Sequence, residues 1–114
     1  MKVLVCGSRN WTNQDAVFRR LWDLPPYSEI IHGGAPGADC MASRFAQMTC
    51  CTERVFRPDY KRHKPQWAPK ARNLLMLDEK PDLVIAFQRN GSRGTQHTID
   101  EARRRGIPVE VHTA

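Results

Sequence analysis

The sequence contains no long hydrophobic run and no pattern of a secretion signal. After Met1 and one lysine, the chain enters a short apolar run over residues 3–6, without a basic segment and a long apolar core. No stretch approaches the roughly 20 apolar residues that a transmembrane helix needs. We therefore expect a cytoplasmic protein that makes no membrane contact.

The cysteines lack the spacing of a metal site. They are Cys6, Cys40, Cys50 and Cys51, and the adjacent pair has no C-x-x-C partner. Cys6 falls in a predicted strand and Cys40 in a predicted helix, where reduced thiols pack as small apolar groups. We expect no metal ion and no cofactor.

Linkers, low-complexity tracts and internal repeats are also missing. With 114 residues, 40% of them hydrophobic and 26% charged, the chain fits one globular domain over residues 1–114. The net charge is +6, and lysine and arginine are concentrated between residues 54 and 72. Such a charge favours anionic partners in general. This basic segment is either a solvated surface or part of a binding site.

Short apolar runs alternate with helical patterns along the whole chain. Strands are predicted at residues 2–6, 29–32, 53–57, 83–87 and 108–111, and helices at about 13–24, 38–49, 71–77 and 95–105. The alternation predicts an α/β fold: a single three-layer Rossmann-like domain with a five-stranded, mostly parallel sheet. We expect Leu74, Leu75 and Leu77 to face inward and Gly106 to end the last helix in the left-handed conformation.

Three glycine-rich loops directly follow predicted strands. They begin at Gly7, at Gly33 and at Asn90. In a parallel sheet the carboxyl ends of the strands share one edge, where ligands bind. Loops of this kind expose backbone N–H groups at the positive end of a helix, which suits an anion. Together they predict a site for a ligand that carries phosphate.

The loop after the second strand has the clearest predicted role. Gly33, Gly34 and Gly37 have no Cβ atom, so they allow positive φ angles and a close approach of phosphate to the backbone. A tight turn without a ligand is the alternative. Asp39 is expected either to cap the following helix or to contact a hydroxyl group of the ligand.

The other two loops supply polar groups beside the predicted phosphate. The candidate ligand-binding residues there are Gly7, Ser8, Arg9, Ser92, Gly94 and Thr95. An arginine directly after a buried strand is suited to clamp a phosphate or a carboxylate. Thr95 either caps its helix or binds a phosphate oxygen, and both interpretations stay open.

Four motifs occur along the chain: Gly-Ser-Arg at 7–9, His-Gly-Gly-Ala-Pro-Gly-Ala-Asp at 32–39, Arg-Asn-Leu-Leu-Met at 72–76 and Ser-Arg-Gly-Thr at 92–95. In this order they resemble the SLOG superfamily of Rossmann-like domains. That superfamily includes the LOG phosphoribohydrolases, often labelled lysine-decarboxylase-like, and the DNA-processing Smf/DprA proteins. The chain is most similar to the small YspA/YpsA-related branch of bacteria and phages, over nearly its whole length.

The resemblance to the LOG enzymes implies a nucleoside monophosphate site and hydrolysis of the N-glycosidic bond. It implies that Arg72 contacts the ribose–phosphate or the reacting bond, with Asn73 beside it in the site. The LOG pattern has a glutamate where this chain has His97. Histidine exchanges protons near neutral pH, but it does not supply the negative charge that stabilises an oxocarbenium-like centre. The nearby acids are Asp100 and Glu101, the latter a candidate catalytic residue one helical turn later.

These features predict a protein that binds a nucleotide or nucleotide-derived ligand, such as a nucleoside phosphate, ADP-ribose or a dinucleotide. Binding alone and binding followed by hydrolysis both stay open. The alternative is a module for single-stranded nucleic acid of the Smf/DprA kind, indicated by an isoelectric point of about 9.6 and by Trp11, Tyr60 and Trp67. The resemblance also implies a homo-oligomer, a dimer or larger.

Overall fold

The computed structural model describes residues 1–113, which form five strands and four helices. In chain order these elements are β1 Lys2–Gly7, α1 Gln14–Trp22, β2 Glu29–His32, α2 Ala38–Met48, β3 Thr52–Val55, α3 Ala68–Asp78, β4 Leu83–Gln88, α4 Arg93–Arg104 and β5 Val109–Thr113. The predicted alternation of strands and helices is confirmed.

The five strands form one parallel sheet in the order β3-β2-β1-β4-β5. This arrangement confirms the α/β class and the Rossmann-like architecture. The chain runs from β1 outward to β2 and β3, and then crosses back to add β4 on the other side of β1. The strand order therefore reverses between β1 and β4, and in such sheets ligands bind at the carboxyl end of this switch point.

Alternate residues of the central strands supply two separate cores. Val3 and Val5 of β1 pack in the cluster that includes α1 and α2, whereas Leu4 and Cys6 pack in the cluster that includes α3 and α4. Strands β1 and β4 are thus covered on both faces, which explains their continuous apolar sequences. The loops that follow β1, β2 and β4 lie at neighbouring strand ends and converge on one edge of the sheet.

Helix α3 differs from its predicted start and orientation. It begins at Ala68 rather than at residue 71, because Pro69 is well tolerated in the first turn of a helix. Leu77 is buried as predicted, but Leu74 and Leu75 are 36% and 56% exposed. The inward orientation predicted for these two leucines is wrong, because only one side of the helix packs against the core.

Helix α4 begins two residues before its predicted start. Its N-cap is Ser92 and its first helical residue is Arg93, so the interpretation of Thr95 as the cap is wrong. Thr95 instead lies buried in the first turn. The prediction for Gly106 is confirmed, since this residue follows the helix with a φ of +75°.

The cysteines are free thiols in the part of the chain that the structure describes. Within the same residues, no helix combines the length and the apolar character that crossing a bilayer requires. Residues 1–113 also contain no group of three or more His, Cys, Asp or Glu side chains arranged to hold a metal ion.

Candidate functional site

A cavity of about 250 Å³, here called the inner cavity, lies at the switch point between β1 and β4. The predicted site residues that line it are Gly7, Arg9, Asp39, Arg72, Asn73, Ser92, Gly94 and Thr95. The remaining lining residues are Cys6, Ala35, Pro69, Met76 and Thr98. The sequence did not predict this second group, because residues that are mostly small or apolar have the same sequence pattern in a cavity wall as in a core.

Asp39, in the first turn of α2, is hydrogen-bonded to the backbone of the glycine-rich turn after β2. Its Oδ2 atom accepts hydrogen bonds from the N–H groups of Gly33, at 3.0 Å, and Ala35, at 3.2 Å. The N–H group of Gly34 donates to Nδ1 of His32 at 3.0 Å. The turn therefore differs from its predicted role, because the amides expected to hold phosphate already have partners inside the protein.

The glycines of this turn make room for arginine side chains. A Cβ atom on Gly33 would overlap the guanidinium group of Arg72, and one on Gly34 would lie 2.7 Å from Nη1 of Arg57. Gly34 also has a φ of +70°, which L side chains rarely adopt. Because Gly33 and Gly34 have no side chains, the guanidinium groups of Arg72 and Arg57 can pack against the turn.

Arg72 is held at the centre of the site by three hydrogen bonds. Its Nε donates to Oδ1 of Asn73 at 2.8 Å, and its Nη1 donates to the carbonyl oxygens of Gly33, at 2.8 Å, and Phe56, at 3.3 Å. Burial lowers the pKa of this guanidinium, although the nearby Asp39 opposes the shift. Nη2 makes no hydrogen bond within residues 1–113, so it is the donor that Arg72 can offer to a ligand.

The carboxyl group of Asp39 is 5% exposed and forms part of the wall of the inner cavity. Burial raises its pKa, and this outweighs the hydrogen bonds from the turn and the nearby charge of Arg72. Burial, reinforced by Asp39, also raises the pKa of the neighbouring Cys6 thiol, which keeps it protonated. Oδ1 of Asp39 has no hydrogen-bond partner within residues 1–113 and is the acceptor that this residue can offer.

The start of α4 supplies backbone donors to the same cavity. The first amide of this region with a backbone partner is that of Gln96, which donates to Ser92 O at 2.9 Å. The N–H groups of Arg93, Gly94 and Thr95 precede it, and the N-cap side chain bonds none of them. Unpaired amides at a helix start attract anions because the helix dipole adds to their partial charge.

Two predicted ligand-binding residues, Ser8 and Gly37, make contacts that join parts of the fold and line neither the inner cavity nor the second cavity next to it. The hydroxyl of Ser8 accepts from the N–H of Arg89 at 2.7 Å and lies 3.2 Å from its carbonyl oxygen, and the N–H of Ser8 donates to Phe87 O at 2.9 Å. Ser8 therefore joins the loop after β1 to the end of β4. Gly37, with a φ of +88°, lies so close to the carbonyl of Ser8 that a Cβ would overlap it.

The two remaining candidate catalytic residues lie outside the lining of the inner cavity. Nδ1 of His97 is 3.5 Å from Nδ2 of Asn73, the residue that holds Arg72. Glu101 forms ion pairs with Arg104 and Arg105, and these hydrogen bonds lower its pKa to about 2. The structure thus places His97 next to the support of Arg72, and Glu101 among surface cations.

A second cavity of about 260 Å³, here called the outer cavity, adjoins the first on the side of the basic segment. The two cavities share Arg9, Ala35 and Arg72. Arg57 and Tyr60 line only the outer cavity. Arg57 was not among the predicted ligand-binding residues, and Tyr60 was named only for the alternative nucleic-acid site, since in sequence both are members of a long polar segment.

The family of the chain follows from two comparisons. Residues 1–63 match the YspA, cpYpsA-related SLOG family. The Gene 61 protein of Mycobacterium phage D29 is 36% identical over 117 residues, which cover 95% of this chain and 93% of the phage protein. No solved structure matches the chain. The protein therefore belongs to the YspA, cpYpsA-related SLOG family.

Proposed function

We propose that the inner cavity binds the phosphate and ribose of a nucleoside 5′-phosphate. One observation carries the proposal: unpaired amides, two arginines and a carboxylate with a spare oxygen border the same cavity at the switch point of the sheet. Membership of a SLOG family supports a nucleotide-related function for such a site. Amides and guanidinium groups suit phosphate, and a lone carboxylate oxygen suits a sugar hydroxyl.

In this proposal the phosphate binds at the start of α4 and not on the turn after β2. The amides of Gly94 and Thr95 and the Thr95 hydroxyl are donors on one side of the cavity. Nη2 of Arg72 and the side chain of Arg9 supply positive charge from the other side. The ribose then lies over Asp39, whose Oδ1 accepts a hydrogen bond from a sugar hydroxyl.

We further propose that the native protein releases the base from a bound nucleotide slowly or not at all. Hydrolysis of an N-glycosidic bond needs a negative charge that stabilises the oxocarbenium-like centre and a group that activates water. His97 contacts Asn73, and Glu101 is paired with surface arginines. Among residues 1–113, Asp39 alone supplies a carboxylate to the cavity, and one of its oxygens is already bonded to the turn.

The proposal is tested by identifying and then titrating the ligand. Mass spectrometry of small molecules released from the purified protein should detect a nucleotide. In calorimetry with AMP, Arg72→Gln should lower the affinity by about tenfold or more, since it removes a charge-assisted hydrogen bond. Arg62→Gln removes a charge from the same region outside both cavities and should leave the affinity unchanged. Equal affinities of all three proteins for AMP would refute the proposal.

Single-stranded nucleic acid is the second candidate ligand, supported by exposed aromatic residues in the basic segment. Tyr60 and Trp67 are both 54% exposed, and Nζ of Lys70 lies 5.1 Å from the centre of the Trp67 ring. Stacking platforms beside cations are typical of such binders. Binding of a labelled oligothymidylate that is tighter than AMP binding, and that collapses between 50 and 200 mM salt, would favour this candidate.

We also propose that the protein self-associates through the exposed side of α3, where Leu74 and Leu75 are exposed and belong to neither core cluster of residues 1–113. Burying these leucines between two copies would remove apolar surface from water. Sedimentation velocity should show a dimer or larger species, and Leu75→Glu should shift it to the monomer. A native protein that sediments as a monomer at all concentrations would refute this proposal.

A further inference from the structure

The outer cavity presents three cations to one small volume. Arg9, Arg57 and Arg72 line it, and no carboxylate is among its lining residues. Within residues 1–113, none of the three forms an ion pair, although Arg20, Arg54, Arg104 and Arg105 elsewhere in the chain do. Like charges held together repel each other, so an anion that bound between them would stabilise the cluster.

The glycine-rich turn keeps the cluster in place. Gly34 lies against Nη1 of Arg57, and Gly33 lies against the guanidinium of Arg72. Arg72 is further fixed through Nε and Nη1, which leaves Nη2 free. A fixed guanidinium loses little side-chain entropy when it binds an anion, so it binds more tightly than a free one.

Arg72 also stands at the border of the two cavities. The inner and outer cavities, of about 250 and 260 Å³, share its side chain together with Arg9 and Ala35. Each volume is small for a whole nucleotide, whereas their sum falls within the range of small-molecule sites. A ligand that filled both cavities would pass Arg72 and could place an anionic group on either side of it.

We propose that the outer cavity is a second phosphoryl subsite, and that the preferred ligand is a nucleoside 5′-diphosphate or an ester of one. This inference rests on the proposed function of the inner cavity, which takes the α-phosphate and the ribose. The β-phosphoryl group then binds to Arg57, with Arg9 and Arg72 between the two phosphates. Tyr60 stands at the open side of the outer cavity, where its hydroxyl is a further donor to the β-phosphoryl group or to its ester.

The test compares the affinities for ADP and AMP by calorimetry at an ionic strength of about 0.15 M, where general attraction between charges is screened. For the native protein, ADP should bind about tenfold or more tightly than AMP, as one charge-assisted contact permits. Arg57→Gln should reduce this ratio at least about fivefold, because it removes the contact to the second phosphoryl group. Arg62→Gln, which removes one charge outside the cavity, should keep the native ratio.

Three outcomes would overturn the inference. In the first, AMP binds and ADP binds no more tightly, which refutes the second subsite and leaves the proposed function intact. In the second, Arg57→Gln lowers the affinities for ADP and AMP by the same factor, which shows that Arg57 does not contact the second phosphoryl group. In the third, neither nucleotide binds, or the affinity instead grows with the length of an oligonucleotide, and then the proposed function fails as well.

Discussion

Replacing Asp39 separates its structural role from its proposed role in binding. In Asp39→Asn, the amide oxygen can still accept the N–H groups of Gly33 and Ala35, while the group that faces the cavity becomes a neutral donor. In Asp39→Ala, the buried amide of Gly33 and the partly buried amide of Ala35 lose their acceptor. Each unsatisfied amide costs about 1–3 kcal/mol, so we expect Asp39→Ala to lower the free energy of unfolding by roughly 2–6 kcal/mol.

The difference in stability between the native protein and Asp39→Asn should depend on pH in a defined direction. Burial raises the pKa of Asp39 above its usual value of 3.8, so the folded protein binds this proton more tightly than the unfolded chain. The corresponding stabilisation is complete below the unfolded pKa and is lost as the pH rises through the folded pKa. The native protein should therefore lose stability relative to Asp39→Asn as the pH rises through the raised pKa of the folded Asp39.

The affinity for AMP, unlike the stability, should be lower in Asp39→Asn than in the native protein. If Oδ1 accepts a ribose hydroxyl, Asp39→Asn loses about 1.5–3 kcal/mol, which corresponds to roughly 10- to 150-fold in affinity for AMP. The 2′,3′-dideoxy analogue of AMP, which lacks those hydroxyls, should bind equally to both proteins. Urea unfolding across the pH range and calorimetry with the two ligands provide the measurements. An equal loss of affinity for AMP and for its dideoxy analogue would refute the reasoning, as would an Asp39→Asn variant as unstable as Asp39→Ala.

Three further changes test neighbouring parts of the site. Gly94→Ala places a methyl group where, within residues 1–113, no atom lies within 4 Å apart from the chain neighbours and the backbone of the same helix. It should raise the free energy of unfolding by about 0.5–1 kcal/mol in thermal or urea unfolding, and yet weaken AMP binding. Glu101→Gln should flatten the acid side of the stability profile between the usual carboxyl pKa of 4.5 and the folded value of about 2. The lowered pKa of Glu101 adds stability that is present above pH 4.5 and is lost as the pH falls towards 2. If the stability profile from urea unfolding is unchanged in Glu101→Gln, the ion pairs of Glu101 do not stabilise the folded protein. His97→Glu should leave the release of adenine from AMP, measured by chromatography, as slow as in the native protein, because position 97 lies outside the lining of the inner cavity. Rapid release by the native protein would overturn the proposal of binding without cleavage.

Local patterns were sufficient to predict most of the elements. Strand β2 has its predicted bounds, and β1 and β4 were recognisable because strands buried on both faces are apolar throughout. Predictions that depended on which side of an element meets the core were less successful. Leu74 and Leu75 fit the hydrophobic stripe of a helix, but α3 contacts the sheet only through the side that carries Leu77.

The candidate site stays a prediction, but the structure shows which of its polar groups already have partners within the protein. Glycine-rich loops at strand ends indicated the carboxyl edge of the sheet, and the cavity lies there. The sequence did not reveal that Asp39 accepts hydrogen bonds from the amides of the turn after β2. An aspartate at the start of a helix has the same sequence pattern whether it caps the helix or contacts a ligand. The sequence also did not reveal that Gly34 accommodates Arg57, which lies 23 positions further along the chain.

The sequence by itself determined the alternation of strands and helices, and with it the parallel sheet and the edge that carries the loops. These features depend on hydrophobic periodicity and on glycine, proline and capping residues, which act over a few positions. Only the tertiary structure decided which polar groups remain free for a ligand. Ser8 is bonded to Arg89, 81 residues away, and Arg72 to Gly33, 39 residues away. Whether a donor is satisfied depends on such distant partners, and their pairing is settled by the packing of the sheet and helices.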